Sequence, residues 1–132
     1  MSNIDWNAKY EIGIAEVDQQ HHYFMDLINR LSEELNEEGS IGRKYIIHEL
    51  NSYVRFHFAS EENMMRKARY PDLDTHIAHH HQLLDRLSGK EAQLEIINSK
   101  ESAAEIIDFL TNWFLTHTNK EDRLFADYLH AD

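Results

Sequence analysis

The chain has 132 residues, one domain on any length prior, and 42% of them belong to the apolar AVILMFWYC set, enough to bury a core without staples. Asp and Glu number 24 against 13 Lys and Arg, a formal charge of −11, so nucleic acid and anionic membrane, which need clustered cations, are disfavoured as partners. With no cysteine, disulfides, thiolate zinc sites, iron–sulfur clusters and cysteine nucleophiles are excluded.

Met-Ser-Asn-Ile-Asp at the start lacks the basic and apolar segments of a secretory signal, and no apolar run approaches membrane length, so a cytoplasmic, membrane-free protein is expected. One proline and four glycines predict a mainly helical chain. Residues 1–16 read as an N-terminal arm. Asp18 is a candidate N-cap for a first helix running to about Glu38, and Gly39-Ser40-Ile41-Gly42 is the next break. A second helix is expected from about Arg43 to Ala68, ending before Tyr70-Pro71 because the residue ahead of a proline avoids helical geometry. The third spans about Asp74 to Ile97, with Gly89 a weak point. Ser99 or Ser102 caps a fourth that reaches at least His117. Long helices with short connections predict an all-α, antiparallel up-down four-helix bundle, a single domain over 1–132 with the bundle and a C-terminal segment in 17–132.

A bundle helix shows core positions alternately three and four residues apart. The first helix supplies Val17, His21, Phe24, Ile28, Leu31 and Leu35. The second supplies Ile47, Leu50, Val54, His57, Glu61, Met64 and Ala68. Leu73, His76, His80, Leu83 and Leu87 follow in the third, and Ala103, Ile106, Leu110, Trp113 and His117 in the fourth. Every helix therefore carries ionisable residues in its seam. Burying such groups without partners costs several kcal/mol, roughly, for each. Convergence on metal removes that cost, because imidazoles and carboxylates become ligands. His57 with Glu61, and His76 with His80, are i,i+4 pairs that share a helix face. Five histidines with one or two carboxylates exceed a four-ligand structural zinc, so two adjacent metals are expected. The nitrogen-rich N/O set favours iron over zinc or manganese.

These residues closely resemble the hemerythrin family, its single-domain bacterial members in particular. The likeness runs from Trp6 to about Leu129 and rests on Asp18-Gln19-Gln20-His21, on His57-Phe58-Ala59-Ser60-Glu61-Glu62-Asn63-Met64 followed by Tyr70-Pro71, on His76-Ile77-Ala78-His79-His80, and on Trp113-Phe114-Leu115-Thr116-His117 with Asp122 five residues on. The resemblance implies that His76, His80 and His117 hold one iron, and that His21 and His57 hold the other, which keeps an open position. It further implies that Glu61 and Asp122 bridge the two ions, as Fe2+ or Fe3+, together with an oxo or hydroxo group. Phe24, Phe58, Trp113, Phe114 and Thr118 are expected to line the oxygen pocket. Thr118 stands where the family usually has a bulky aliphatic residue, and its hydroxyl is expected to admit water and speed autoxidation.

His117 and Asp122 would lie about 140° apart on an ideal helix, so the helix must end or bulge between them. His22, His48, His79, His81 and His130 read as exposed or rim residues, and Glu62 as a supporting or surface carboxylate. Asp18 either orients His21 or caps its helix. The resemblance implies reversible dioxygen binding for storage, transport or delivery by a monomer that is not an enzyme, with an unidentified oxygen-accepting or redox partner. The competing readings are an oxygen, redox or nitric oxide sensor, and a di-iron redox enzyme acting on peroxide or nitric oxide.

Overall fold

A computed structural model describes residues 8–35 and 41–131. A 3-10 turn, Ala8–Tyr10, precedes four long helices: α1 Ala15–Glu33, α2 Ile41–Ala68, α3 Leu73–Ile96 and α4 Lys100–His117. A five-residue π-helical turn, Thr118–Asp122, then leads without a break into α5, Arg123–His130. The connections at Arg69–Asp72 and Ile97–Ser99 are short, which makes sequential helices antiparallel neighbours. Packing closes in a ring, α1 on α2, α2 on α3, α3 on α4 and α4 back on α1. The architecture is the expected four-helix bundle.

Helix ends follow local chemistry, with corrections to the sequence reading. Helix α1 starts at Ala15, three residues ahead of Asp18, so Asp18 is not its N-cap. Its carboxylate instead accepts from the backbone N–H groups of Ile12 (2.8 Å) and Gly13 (3.2 Å), tying the arm to the bundle. Gly13 sits at φ 88°, where a side chain would be strained and its Cβ would press on His130. Ile41 and Gly42, assigned to the break, are helical; Gly39, Ser40 and the end placed near Glu38 lie outside the described residues, as do the arm's first seven. Ser99 is the cap of α4, its hydroxyl accepting from Ser102 N–H at 3.0 Å. Gly89 does not interrupt α3.

Helix α2 ends in a Schellman turn: Tyr70 N–H donates to Met65 C=O (2.9 Å) and Arg69 N–H to Arg66 C=O (3.1 Å). Arg69 occupies the left-handed position that glycine usually fills, at φ 56°. Pro71 bars continuation of the helix.

The main core lies in the half of the bundle away from α5. Leu27, Leu31, Ile47, Leu50, Leu87, Ala103, Ile106 and Leu110 are all fully buried there. At its far end the buried guanidinium of Arg43 donates to the carbonyls of Glu34, Leu35 and Asn98 at 3.2, 2.7 and 3.3 Å. One side chain thus satisfies the frayed end of α1 and the connection between α3 and α4. At the other end the arm and α5 close the bundle. Ile12, Val17 and Ala126 form one small cluster, and Met65, Tyr70 and Phe125 another. The polar residues of interest are held between these apolar ends. Relieving the left-handed strain should show in stability: Arg69→Gly is expected to raise the unfolding free energy by about 1 kcal/mol, measured by urea denaturation.

Candidate metal centre

Four helices and the π turn deliver seven ionisable side chains to one place: His21 from α1, His57 and Glu61 from α2, His76 and His80 from α3, His117 from α4 and Asp122 from the turn. All are buried, none more than 6% exposed, and Glu61, His80 and Asp122 are fully sealed. They form two sets that share Glu61. One is Glu61, His76, His80 and His117; the other is His21, His57, Glu61 and Asp122, and within each set the ligand atoms lie within 4.8 Å of one another.

Each carboxylate divides its oxygens between the two sides. Glu61 Oε1 lies 2.9 Å from His76 Nε2 and 3.1 Å from His80 Nε2, whereas its Oε2 faces His57 Nε2 at 3.7 Å. Asp122 Oδ1 lies 3.0 Å from His76 Nε2 and 2.8 Å from His117 Nε2, whereas its Oδ2 is 3.0 Å from His21 Nε2. Asp122 reaches this place because the π turn adds a residue to the helical repeat. The spacing of five that an α-helix would splay apart is thereby drawn onto one face.

Whether these residues suit metal is tested by their unmet bonds. Among the described residues eight buried side-chain polar atoms lack a hydrogen-bond partner, and six belong to this set: His21 Nδ1, His57 Nε2, His80 Nε2, His117 Nε2, Glu61 Oε2 and Asp122 Oδ2. Each orphan costs about 1–3 kcal/mol. Many approach one another closely without hydrogen-bond angles, the arrangement of lone pairs aimed at common centres. The donor set is imidazole and carboxylate alone, which suits a first-row transition metal.

Outside this shell, neighbours fix the rings. His57 Nδ1 donates to Gln20 Oε1 at 2.6 Å, and Gln20 in turn donates to Ser60 Oγ at 3.2 Å, leaving His57 Nε2 to face the centre. His80 Nδ1 bonds Glu62 Oε2 at 2.8 Å, which makes Glu62 the supporting carboxylate expected. Asp18 makes no bond to His21, whose Nδ1 is unpartnered. Gln20 carried no role in the sequence reading. Its signal was burial of an amide one residue before a ligand, which only the packing of α1 on α2 displays.

Aromatic rings surround the site unequally. Phe58 stacks on His80 (3.7 Å, 4°) and Trp113 on His117 (4.3 Å, 15°), both on the three-histidine side. Phe114 meets His21 edge-on at 5.5 Å and Phe24 at 5.7 Å, on the two-histidine side. Tyr10 of the arm covers Phe114. Of the five residues assigned to an oxygen pocket, Phe24, Phe114, Phe58 and Thr118 are buried and Trp113 is half-buried. The Thr118 hydroxyl is buried without a partner. Met64, placed in the seam, is half-buried, and Met65 is the fully buried one. His22, His48, His81 and His130 are exposed, and His79 is a rim residue bonded through Nδ1 to Glu121.

Residues 12–129 match the family described as the hemerythrin HHE cation binding domain. The chain belongs to the hemerythrin family. It is similar to the bacteriohemerythrin of Stenotrophomonas maltophilia, 28% identical over 99% of this chain and 84% of that one. Another relative, the bacteriohemerythrin of Clostridium acetobutylicum, is 28% identical over 92% and 98% respectively. In fold it matches the crystal structure of wild-type hemerythrin with a TM-score of 0.83 at 25% identity, covering 98% of this chain and all of that one. Hemerythrin membership marks this as a di-iron, oxygen-binding type of domain. No helix among the described residues is long and apolar enough to cross a membrane.

Without metal the cluster balances itself with protons. Burial opposes charge on His76, but its hydrogen bonds to Asp122 and Glu61 prevail and raise its pKa to about 9. Burial likewise opposes His117, and the carboxylates of Asp122 and Glu61 raise it to about 10. Burial and the adjacent His21 lower His57 to about 3, so it stays neutral. Burial would lift both carboxylates; contacts with His117 and His76 hold Glu61 and Asp122 below the usual carboxylate range instead.

Two raised histidines are thus protonated at neutral pH and must lose those protons to become ligands. Iron(II) uptake by the metal-free protein at pH 7 is expected to release roughly two protons per chain, falling to none above pH 10, as read by a pH indicator in weak buffer. Stability gained from the raised histidines is complete below their ordinary value of 6.5 and is lost as pH rises through about 9 and 10. Thermal melts of the metal-free protein should therefore fall across that window.

Proposed function

We propose that this chain binds dioxygen reversibly at a pair of iron ions and serves to store, transport or deliver oxygen, without catalytic turnover. The observation that carries the reading is the lopsided ligand set: three imidazoles converge on one side, two on the other, with both carboxylates presenting an oxygen to each. Bound there, a pair of irons would supply one-electron exchange with dioxygen at the side that has the fewer protein ligands.

In this reading His76, His80 and His117 would hold one ion, His21 and His57 would hold the other, and Glu61 and Asp122 would be shared between them. The chain's own part is to position and to exclude. Gln20 and Glu62 lock the outer nitrogens of His57 and His80, so those rings cannot turn away from the centre. Phe114 presents hydrocarbon beside His21, and Phe24 packs behind Phe114. Hydrocarbon admits a small apolar gas and resists water and anions, whose entry promotes irreversible oxidation. Neutral imidazoles donate less charge than carboxylates, which favours binding over oxidative chemistry.

The test is anaerobic reduction of purified protein, with iron quantified, followed by oxygen readmission. About two irons per chain are expected, with a visible band that appears with oxygen and vanishes on its removal over many cycles. Immediate irreversible oxidation without that band would overturn oxygen carriage and favour a redox sensor or enzyme.

Thr118 offers a sharper probe. Its buried hydroxyl has no protein partner and is a foothold for water next to a ligand. Valine keeps the shape and removes the foothold, whereas isoleucine adds volume at a sealed position. Thr118→Val is expected to slow autoxidation several-fold, roughly the factor given by 1 kcal/mol at 25 °C. The measurement is decay of the oxygen-dependent band.

A further inference from the structure

Two surface clefts run end to end along the junction of α3 and α4. The inner one, about 200 Å³, is bordered by Gln82, Arg86, Phe109, Trp113 and His117. The outer one, about 310 Å³, shares Arg86 and Phe109 with it and extends to Gly89, Lys90 and Gln93. Together they reach the size range of small-molecule sites, about 300 Å³ upward. Gly89 keeps the outer floor open, since a Cβ there would meet nothing within 4 Å.

The Arg86 guanidinium and the Lys90 ammonium both stand over the Phe109 ring, at 5.8 and 5.3 Å from its centroid. Among the described residues neither side chain is engaged in an ion pair or hydrogen bond. No carboxylate borders the outer cleft. Glu121 borders the inner one and is already bonded to His79. On a chain of net charge −11, two uncompensated cations on one aromatic ring form a local anion site. At the inner end Trp113 lies flat against His117, a residue of the metal centre. The groove therefore offers cations for an anionic group, rings for a planar one, and a stacked path inward.

We propose that this groove docks a small, planar, anionic electron donor, of which reduced flavin mononucleotide is the type, with Arg86 and Lys90 holding its phosphate and Phe109 and Trp113 its ring. The donor role rests on the pair of iron ions proposed above, which irreversible oxidation would leave ferric and in need of reduction before oxygen is bound again. The donor's hydroquinone is oxidised to the quinone form, its two N–H protons pass to solvent, and its two electrons travel singly through Trp113 and His117. They reduce two ferric ions to ferrous. No bond between donor and protein forms or breaks.

Flavin mononucleotide is the probe, with flavin fluorescence as readout, on the full chain before and after iron loading. Saturable quenching is expected in both forms, weakened by salt. Arg86→Glu and Lys90→Glu should each weaken it roughly tenfold, while lumiflavin, which has the ring without the phosphate, should be affected much less. In the iron-loaded protein, the reduction rate should saturate with reduced flavin mononucleotide. At low donor it should fall by the same factor in the two variants, with the oxygen-dependent band unchanged.

Absence of saturable quenching, or equal binding by the variants, would overturn the site. Saturable binding with a reduction rate that rises linearly and ignores both substitutions would overturn the donor role. A chain that takes up no iron would remove the proposed function and the donor role with it, while flavin titration of the metal-free protein would still decide the binding site.

Discussion

The burial of seven ionisable side chains at one level of a helical bundle is the constraint on which everything else depends. Apolar packing above and below them cannot be continuous unless their charges and lone pairs are satisfied by one another or by a common ligand. Hydrogen bonds among the seven do only part of this. Six polar atoms of the set remain without partners, and five of them, all but the outer nitrogen of His21, belong to the inward-facing side, so the metal-free arrangement holds an internal debt that two cations would settle. The protons on His76 and His117 are a substitute: two imidazolium ions offset two carboxylates in a space closed to water. Metal and protons therefore compete for one charge balance.

Support for this arrangement comes from groups of ordinary kinds in particular places. The outer nitrogens of His57 and His80 are fixed by an amide and a carboxylate, while that of His21 is buried without a partner. The π turn solves a geometric problem that α-helical bonding could not, drawing Asp122 onto the face of His117. Further along, α5 packs Phe125 on Met65 and Tyr70, and Ala126 joins Ile12 of the arm and Val17. The two sides differ in what faces them. Stacked rings lie on the three-histidine side, and Phe114 stands edge-on to His21 on the two-histidine side. In the proposed function, that difference assigns contact with the electron donor to one side and admission of the gas to the other.

Much of this was legible in the order of residues. A three–four rhythm across all four helices, interrupted at matching levels by His21, His57, Glu61, His76, His80 and His117, is a one-dimensional pattern that helix geometry converts into a shared face. The irregular spacing to Asp122 announced a distortion in the helix. Choices between adjacent residues were not legible. Met64 and Met65, or Trp113 and Phe114, both fall within the arc that a helix can bury, and the neighbouring helices select among them. Phe114 turns toward α1 and is sealed, while Trp113 turns to the α3 side and remains half-exposed. Asp18 was misjudged for a related reason: a capping residue and an acceptor for a preceding arm look alike in sequence, and only the path of the arm separates them.

By itself the sequence determined the helical class, the number of long helices and six ionisable residues in their seams, because each follows from periodicity, breakers and residue type along a single strand of text; Asp122 and the family came from the resemblance of the motifs. Tertiary structure alone decided which carboxylate oxygen faces which histidine, which amide steadies His57, and how the aromatic rings divide between the two sides. It also brought Arg86 and Lys90 over one ring of another helix, with a path from there to His117. Such relations depend on the rotation and offset of packed helices. Those are settled by side-chain volumes on several elements at once, and no spacing along one element encodes them.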